Sequence, residues 1–383
     1  MRALVATLLL LSLGMAQQAG PPKPNAKERA DARMQQDVQR AIDNAAANSS
    51  APVAPGAGLN SVSLPNAYDI EVSDVVKRFP AYLSKTPPFE GTLRITGASS
   101  MGQLLNSLAT AYESIYPGVK VSVKQGGSSK GLAALRAGEC DMAAMSRDLT
   151  PDEVKDLETN TGRKVFQVPI ALDGVCIFVN ADNPLPAITR DQLNGIFAIT
   201  HSLTKEPILR WSDLDPKSPL GDAFMPLYMV PTTHGTMQDF MQWAMPEEQL
   251  QTILRNEEPG PSSVVNACCA YPAAIGISSY ANRQPRARMV PVSEGLGKPA
   301  VAPDFRTIRD HSYPLTRSLN LVLLAPSESE VPPLQLDFLK FAWSESGQDT
   351  CATLGVVVAN LDHPPQLLRE VIGKKFSEAP AAK

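Results

Sequence analysis

Two hydroxyls stand side by side in Gly126-Gly127-Ser128-Ser129-Lys130-Gly131, and two chemistries use that arrangement. Gly127 to Gly131 matches the G-x-S-x-G turn, in which a strained strand-to-helix elbow exposes a nucleophilic serine, here Ser129. The same stretch suits a helix N-terminus, whose first N–H groups have no acceptor within the helix and attract an anion. A serine hydrolase also needs a histidine and an acid in recognisable context and a glycine-rich oxyanion loop. His201, His234, His311 and His363 stand in no such context and no such loop occurs, so the enzyme reading is the weaker one.

The same device recurs along the chain. Ser99-Ser100 follow Gly97-Ala98 after an alternating run, and Thr232-Thr233 precede His234-Gly235-Thr236 before an apolar run at helical spacing. Ser146 closes another strand-like run, Met142 to Met145. Capping a helix takes one hydroxyl, and capping is the commonest role for such residues. Paired hydroxyls beside glycine at three turns exceed that need, which favours ligand binding by Ser100, Ser128 and Thr236 and leaves Ser129 as a cap.

A run of strand–turn–helix units from about Phe89 must position these turns. Thr92 to Thr96 alternates, and Leu104, Leu105, Leu108, Tyr112 and Ile115 then recur at helical spacing. VKVSVKQ is the next strand, followed by a short helix marked by Leu132 and Leu135 and stopped by Gly138. After the third strand, Asp148 or Thr150 caps a helix with Pro151 at its first position and Asp152 and Glu153 in its first turn. The longest strand signal is VFQVPIALDGVCIFVN. Alternating strands and helices predict an α/β protein with a mainly parallel sheet covered on both faces. Turns at the carboxyl ends of such strands gather in one crevice, where open α/β sheets bind ligands.

The 383 residues leave room for roughly two domains. A net charge of −4 without any Lys/Arg cluster argues against nucleic acid as a partner. Residues 1–16 read as a secretory signal peptide, with basic Arg2, an apolar core to Leu13 and the small-residue ending Gly14-Met15-Ala16. Residues 17–62 read as a helical and Pro/Gly/Ala-rich extension. The mature chain is expected to be soluble, exported and periplasmic or secreted. The five cysteines are Cys140, Cys176, Cys268, Cys269 and Cys351. Some should pair in an oxidising compartment, although an odd number leaves at least one over. Neither cysteines nor histidines show metal-site spacing, and no cofactor or metal is expected.

From about Gly91 to Gly373 the chain resembles the periplasmic phosphate-binding proteins of ABC importers, within the type II periplasmic-binding-protein fold. ITGASSMGQLL, VSVKQGGSSKGLAALRAGECDMAAMSR, LNGIFAIT leading to RWSDL, AAIGISSY, YPLTRSLNLVL and FLKFAWSESGQDTCATLGVVV resemble that family's blocks in the right order. The resemblance implies two lobes with a hinge, here 89–170 with 318–375 and 171–317, holding phosphate in the cleft between them. It implies ligand contacts from Ser100, the Met101 N–H, Ser128, Ser146, Gly235 and Thr236.

Two departures alter that site. His234 stands where the family's Ser-Gly-Thr turn begins, and Val230 stands where the family has an arginine, which removes its strongest cleft charge. His234 is read as facing the cleft, where its protonated form would make affinity fall with rising pH. Arg147 reads as an ordinary salt-bridge residue and Arg317 as support for the hinge or lobe packing. The expected function is capture of inorganic phosphate, or a related oxyanion, by a monomer that delivers it to the membrane subunits of an ABC importer. The alternative is a surface interaction protein that reuses the fold without phosphate.

Overall fold

The computed structural model describes residues 67–369. The signal segment, the 17–62 extension and the tail of the first predicted lobe beyond 369 lie outside the described residues. The first described helix, α1 (Ala67–Val76), packs Val72, Val75 and Val76 into the core.

Period-two alternation in β1 (Gly91–Gly97) buries Leu93 and Ile95 and exposes Thr92 and Arg94. A single turn over Ser99–Met101 leads into α2 (Gly102–Ile115), which buries Leu104, Leu105, Leu108, Ala109 and Tyr112. The next units are β2 (Val119–Gln125) with α3 (Ser128–Ala137), then β3 (Met142–Met145) with α4 (Pro151–Thr161). Thr150 caps α4 in a full capping box. Its Oγ1 accepts from the Glu153 N–H at 3.2 Å, and its own N–H donates to the Glu153 carboxylate at 2.9 Å.

The long strand β4 (Lys164–Asn180) ties the molecule together. The second half adds β5 (Leu227–Met229), α5 (Gly235–Ala244), β6 (Arg255–Glu257), β7 (Ile275–Ser279) and β8 (Ala287–Met289). The chain then returns through β9 (Thr316–Ala325) and ends its strands with β10 (Val357–Val358). The sheet order is β2-β1-β3-β9-β4-β7-β5-β6, with β8 and β10 also on β4. Lys164–Gly174 of β4 pairs with β9, and Val175–Asn180 pairs with β7 and β8. One strand thus serves both halves. The outer strands, β1 with β2 and β3, and β5 with β6 and β7, are parallel as the βα units require, whereas every pair made by β4 and β9 is antiparallel. The predicted parallel sheet is therefore mixed at its centre, where the chain crosses between the halves and comes back.

All five cysteines are unbridged, and Cys140, Cys176, Cys268 and Cys351 are buried. Burial pushes the Cys351 thiol up to about 12. These side chains serve as small apolar fillers rather than reactive thiolates, so the pairing expected from the compartment is not made.

Candidate functional site

The predicted turns meet. Gly127 holds φ 93 as the residue before α3, a left-handed backbone that glycine adopts freely. Ser128 is thereby the first helical residue, 5% exposed, and its Oγ accepts from the Ser146 N–H at 3.3 Å. Ser129 lies one residue further on, exposed. It is not the cap expected of it, because Gly127 occupies that position and no side chain caps the helix. Close contact sets α3 in place. A Cβ on Gly131 would stand 2.5 Å from the Thr96 carbonyl oxygen and 2.7 Å from Gly97 Cα, so only glycine lets the helix lie this near β1.

Ser146, at the end of β3, is 1% exposed, and its Oγ has no hydrogen-bond partner. The Ser100 Oγ is also buried without a partner. Met101, from the same turn, is fully buried and its N–H donates to the Ala98 carbonyl at 3.1 Å. The turn itself uses the donor that the resemblance assigns to a ligand.

From the second half, α5 brings Gly235 and Thr236 to this place and touches the Ser99–Met101 turn. A Cβ on Gly235 would lie 2.5 Å from Ser146 Oγ. The two halves approach each other here by the width of a missing methyl group. His234 occupies the cap position of α5, its Nδ1 accepting from the Thr236 N–H at 3.3 Å. Burial, reinforced by the Arg317 charge, pulls the imidazole down to about 4. His234 is neutral near pH 7 and spends its lone pair on the cap, so the cationic role anticipated for it is not the one its contacts support.

The charge at this site comes from a residue that the sequence offers only as support for the hinge or lobe packing. Arg317, 6% exposed, sits opposite Asp173 in the β9–β4 register. Its Nε and Nη2 donate to Asp173 Oδ2 at 3.1 and 2.7 Å, its Nη1 to Asp239 Oδ2 at 2.8 Å, and Nη2 also to Thr236 Oγ1 at 3.1 Å. These bonds occupy four of the five guanidinium N–H groups. The fifth is on Nη1, the guanidinium atom 3.9 Å from the Cβ position of Gly235. Burial opposes the Arg317 charge, but Asp173 and Asp239 outweigh it and raise its pKa. Burial likewise raises Asp239, with Arg317 pulling it back. Arg147, by contrast, is bound bidentately by Glu153 at 2.7 and 2.8 Å, the salt bridge expected of it. Val230 is 1% exposed.

Four buried hydroxyls, those of Ser100, Ser128, Ser146 and Thr236, two helix N-termini from opposite halves and one guanidinium therefore converge. Such a set donates hydrogen bonds to an oxyanion, and it contains acceptors that can take a proton in return. Among the described residues no group of His, Cys, Asp and Glu could hold a metal ion.

Comparison with known proteins identifies the family of this fold. Residues 84–346 match the family model described as a PBP superfamily domain. The phosphate-binding protein PstS of Pseudomonas aeruginosa is 27% identical over 287 residues, covering 75% of this chain and 88% of that protein. PstS of Staphylococcus saprophyticus is 26% identical, covering 74% and 86%. Among solved structures, an ABC-type phosphate transport receptor from Vibrio cholerae superposes with a TM-score of 0.55 at 22% identity, over 70% of this chain and 100% of that one. PstS from Borrelia burgdorferi gives 0.51 at 20% identity, over 71% and 100%. With its family model spanning most of the sequence and its sheet following the same fold, this chain belongs to the PBP superfamily.

Proposed function

We propose that this protein captures inorganic phosphate between its two halves and delivers it to the membrane subunits of an ABC importer. The reading rests on one observation above the others: Ser146 Oγ is buried without a partner between Ser128 and Gly235, at the meeting point of two helix N-termini. A buried unpaired hydroxyl costs about 1–3 kcal/mol, a cost that a bound oxyanion would relieve. The names of the relatives in Pseudomonas and Staphylococcus support phosphate as the anion. Among the described residues no helix is long and apolar enough to cross a membrane, and export would run through the signal segment read at residues 1–16.

The charge balance favours a protonated anion. Arg317 is outnumbered by Asp173 and Asp239, so the site repels a bare dianion unless it can also donate a proton. Phosphate carries one near neutral pH and sulfate does not. Closure of the halves about β4 and β9 would hold Ser100, Ser128 and Ser146 against Gly235, Thr236 and Arg317, as Ser146 and Gly235 already stand here. No bond is made or broken in this cycle, and Ser129 has no catalytic part in it.

Calorimetric titration of the ligand-stripped mature protein with phosphate, with sulfate as control, tests the reading. Micromolar or tighter binding of phosphate alone is expected. No heat with either anion would return the chain to the alternative, a fold reused for surface interactions.

A further inference from the structure

Beside the hydroxyl cradle lies a cavity of about 350 Å³ whose lining includes Asp239, Gln242, Trp243, Thr316, Arg317 and Ser318. Cradle and cavity share a wall, because Arg317 and Asp239 line the cavity while Arg317 Nη2 donates to Thr236 Oγ1. A tetrahedral oxyanion fills the room of roughly two or three water molecules at about 30 Å³ each. The cavity greatly exceeds that and reaches the range of about 300 Å³ upward in which small organic ligands bind.

We infer that the site also accepts a phosphate monoester of a small hydroxylated alcohol, with the phosphoryl group in the cradle and the organic group in this cavity. The inference rests on the reading of the cradle as a phosphate site and names a second class of substrate for it.

The chemistry of the lining selects that substituent. Thr316 Oγ1 is buried without a hydrogen-bond partner, and a ligand hydroxyl would satisfy it. Asp239 gives one carboxylate oxygen to Arg317 and has the other to accept from a hydroxyl. Gln242 adds an amide, and the Trp243 ring, with Arg190 stacked at 5.6 Å, offers an apolar face for the carbon chain. A second phosphoryl group would find the guanidinium groups of the lining already bound by carboxylates, Arg317 by Asp173 and Asp239. Arg147 is the other guanidinium in the lining, and Glu153 holds it bidentately. In the lining, His311 holds φ 61, a backbone conformation that a non-glycine residue adopts at a cost and that gathers at ligand sites.

The test titrates phosphate, methyl phosphate and glycerol phosphate into the native protein and into Thr316→Val and Trp243→Ala. Glycerol phosphate is expected to bind the native chain, and each variant to lose about tenfold in affinity for it while binding phosphate as before. Phosphate binding with both esters excluded would overturn the inference and leave the phosphate reading intact. An equal loss for phosphate and ester in the variants would overturn it too, because the cavity would then act only on the cradle. Ester binding without phosphate binding would support the inference and replace phosphate as the substrate. Failure of all three ligands would overturn both readings.

Discussion

A buried hydroxyl that finds no partner gives up its bonds to water without replacement, and Ser146 Oγ is such a group. Its removal therefore separates two roles. If Ser146 served the fold, Ser146→Ala would lower stability; because it has no partner to lose, the variant should unfold within about 0.5 kcal/mol of the native chain, or slightly above it. Phosphate affinity should nevertheless fall by tenfold or more, since one hydrogen bond to a charged group contributes about 1.5–3 kcal/mol. Denaturant melts beside calorimetry would read both, and an unchanged affinity would remove Ser146 from the site. His234 yields a different pair of expectations. Its folded pKa of about 4 lies below the ordinary 6.5, so between those values the unfolded chain binds the extra proton and stability falls as pH drops. His234→Asn keeps a cap acceptor for α5 and has nothing to titrate. It should flatten that part of the stability profile, while sharing the native chain's affinity profile between about pH 5.5 and 8. A steeper native fall in affinity over that range would restore the imidazolium to the cleft.

Among the elements, α3 shows where local preference and packing disagree. Alanine exceeds glycine in helix propensity by about 1 kcal/mol, so Gly131→Ala ought to help an isolated helix. In the protein a Cβ there would meet Thr96 and Gly97 backbone atoms at 2.5 and 2.7 Å, and overpacking of this kind costs about 1–3 kcal/mol. The variant is expected to be less stable and to bind phosphate more weakly, because a displaced α3 moves Ser128. Equal stability would mean that α3 does not lie on β1 as described. The same elements show what a sequence can reveal about them. The start of α4 was readable, with Asp148 or Thr150 as its cap and Pro151 at its first position, because a cap is written within a few adjacent residues; the structure selects Thr150 and closes the box with Glu153. The start of α3 was not, because Gly127 took the cap position through its backbone and turned Ser128 inward. Arg317 was read only as support for the hinge or lobe packing, because its partners Asp173, Thr236 and Asp239 lie 144, 81 and 78 residues away. Only the pairing of β9 with β4 and the docking of α5 bring them together. A substituted arginine at Val230 was visible; the guanidinium that could take its place was not.

For the molecule as a whole, β4 and β9 join the halves by continuous chain, and Ser146 and Gly235 join them by contact. The contact can be tested without any ligand. Gly235→Ala would place a methyl group 2.5 Å from Ser146 Oγ and 3.6 Å from its Cβ. Ser146 is 1% exposed, with little room to turn away. The substitution should cost about 1–3 kcal/mol if the halves touch in solution. Ser146→Gly removes the obstructing hydroxyl, so the double variant should recover most of that loss. Two substitutions on different halves would then be strongly non-additive, as residues in contact are and distant ones are not. Additive effects would mean that the halves stand apart until an anion draws them together. In that case the penalty of Gly235→Ala should appear only in the presence of phosphate, as a smaller rise in melting temperature. The cycle thus decides whether closure precedes capture or follows it, and with that whether the importer can meet a closed receptor that carries no phosphate.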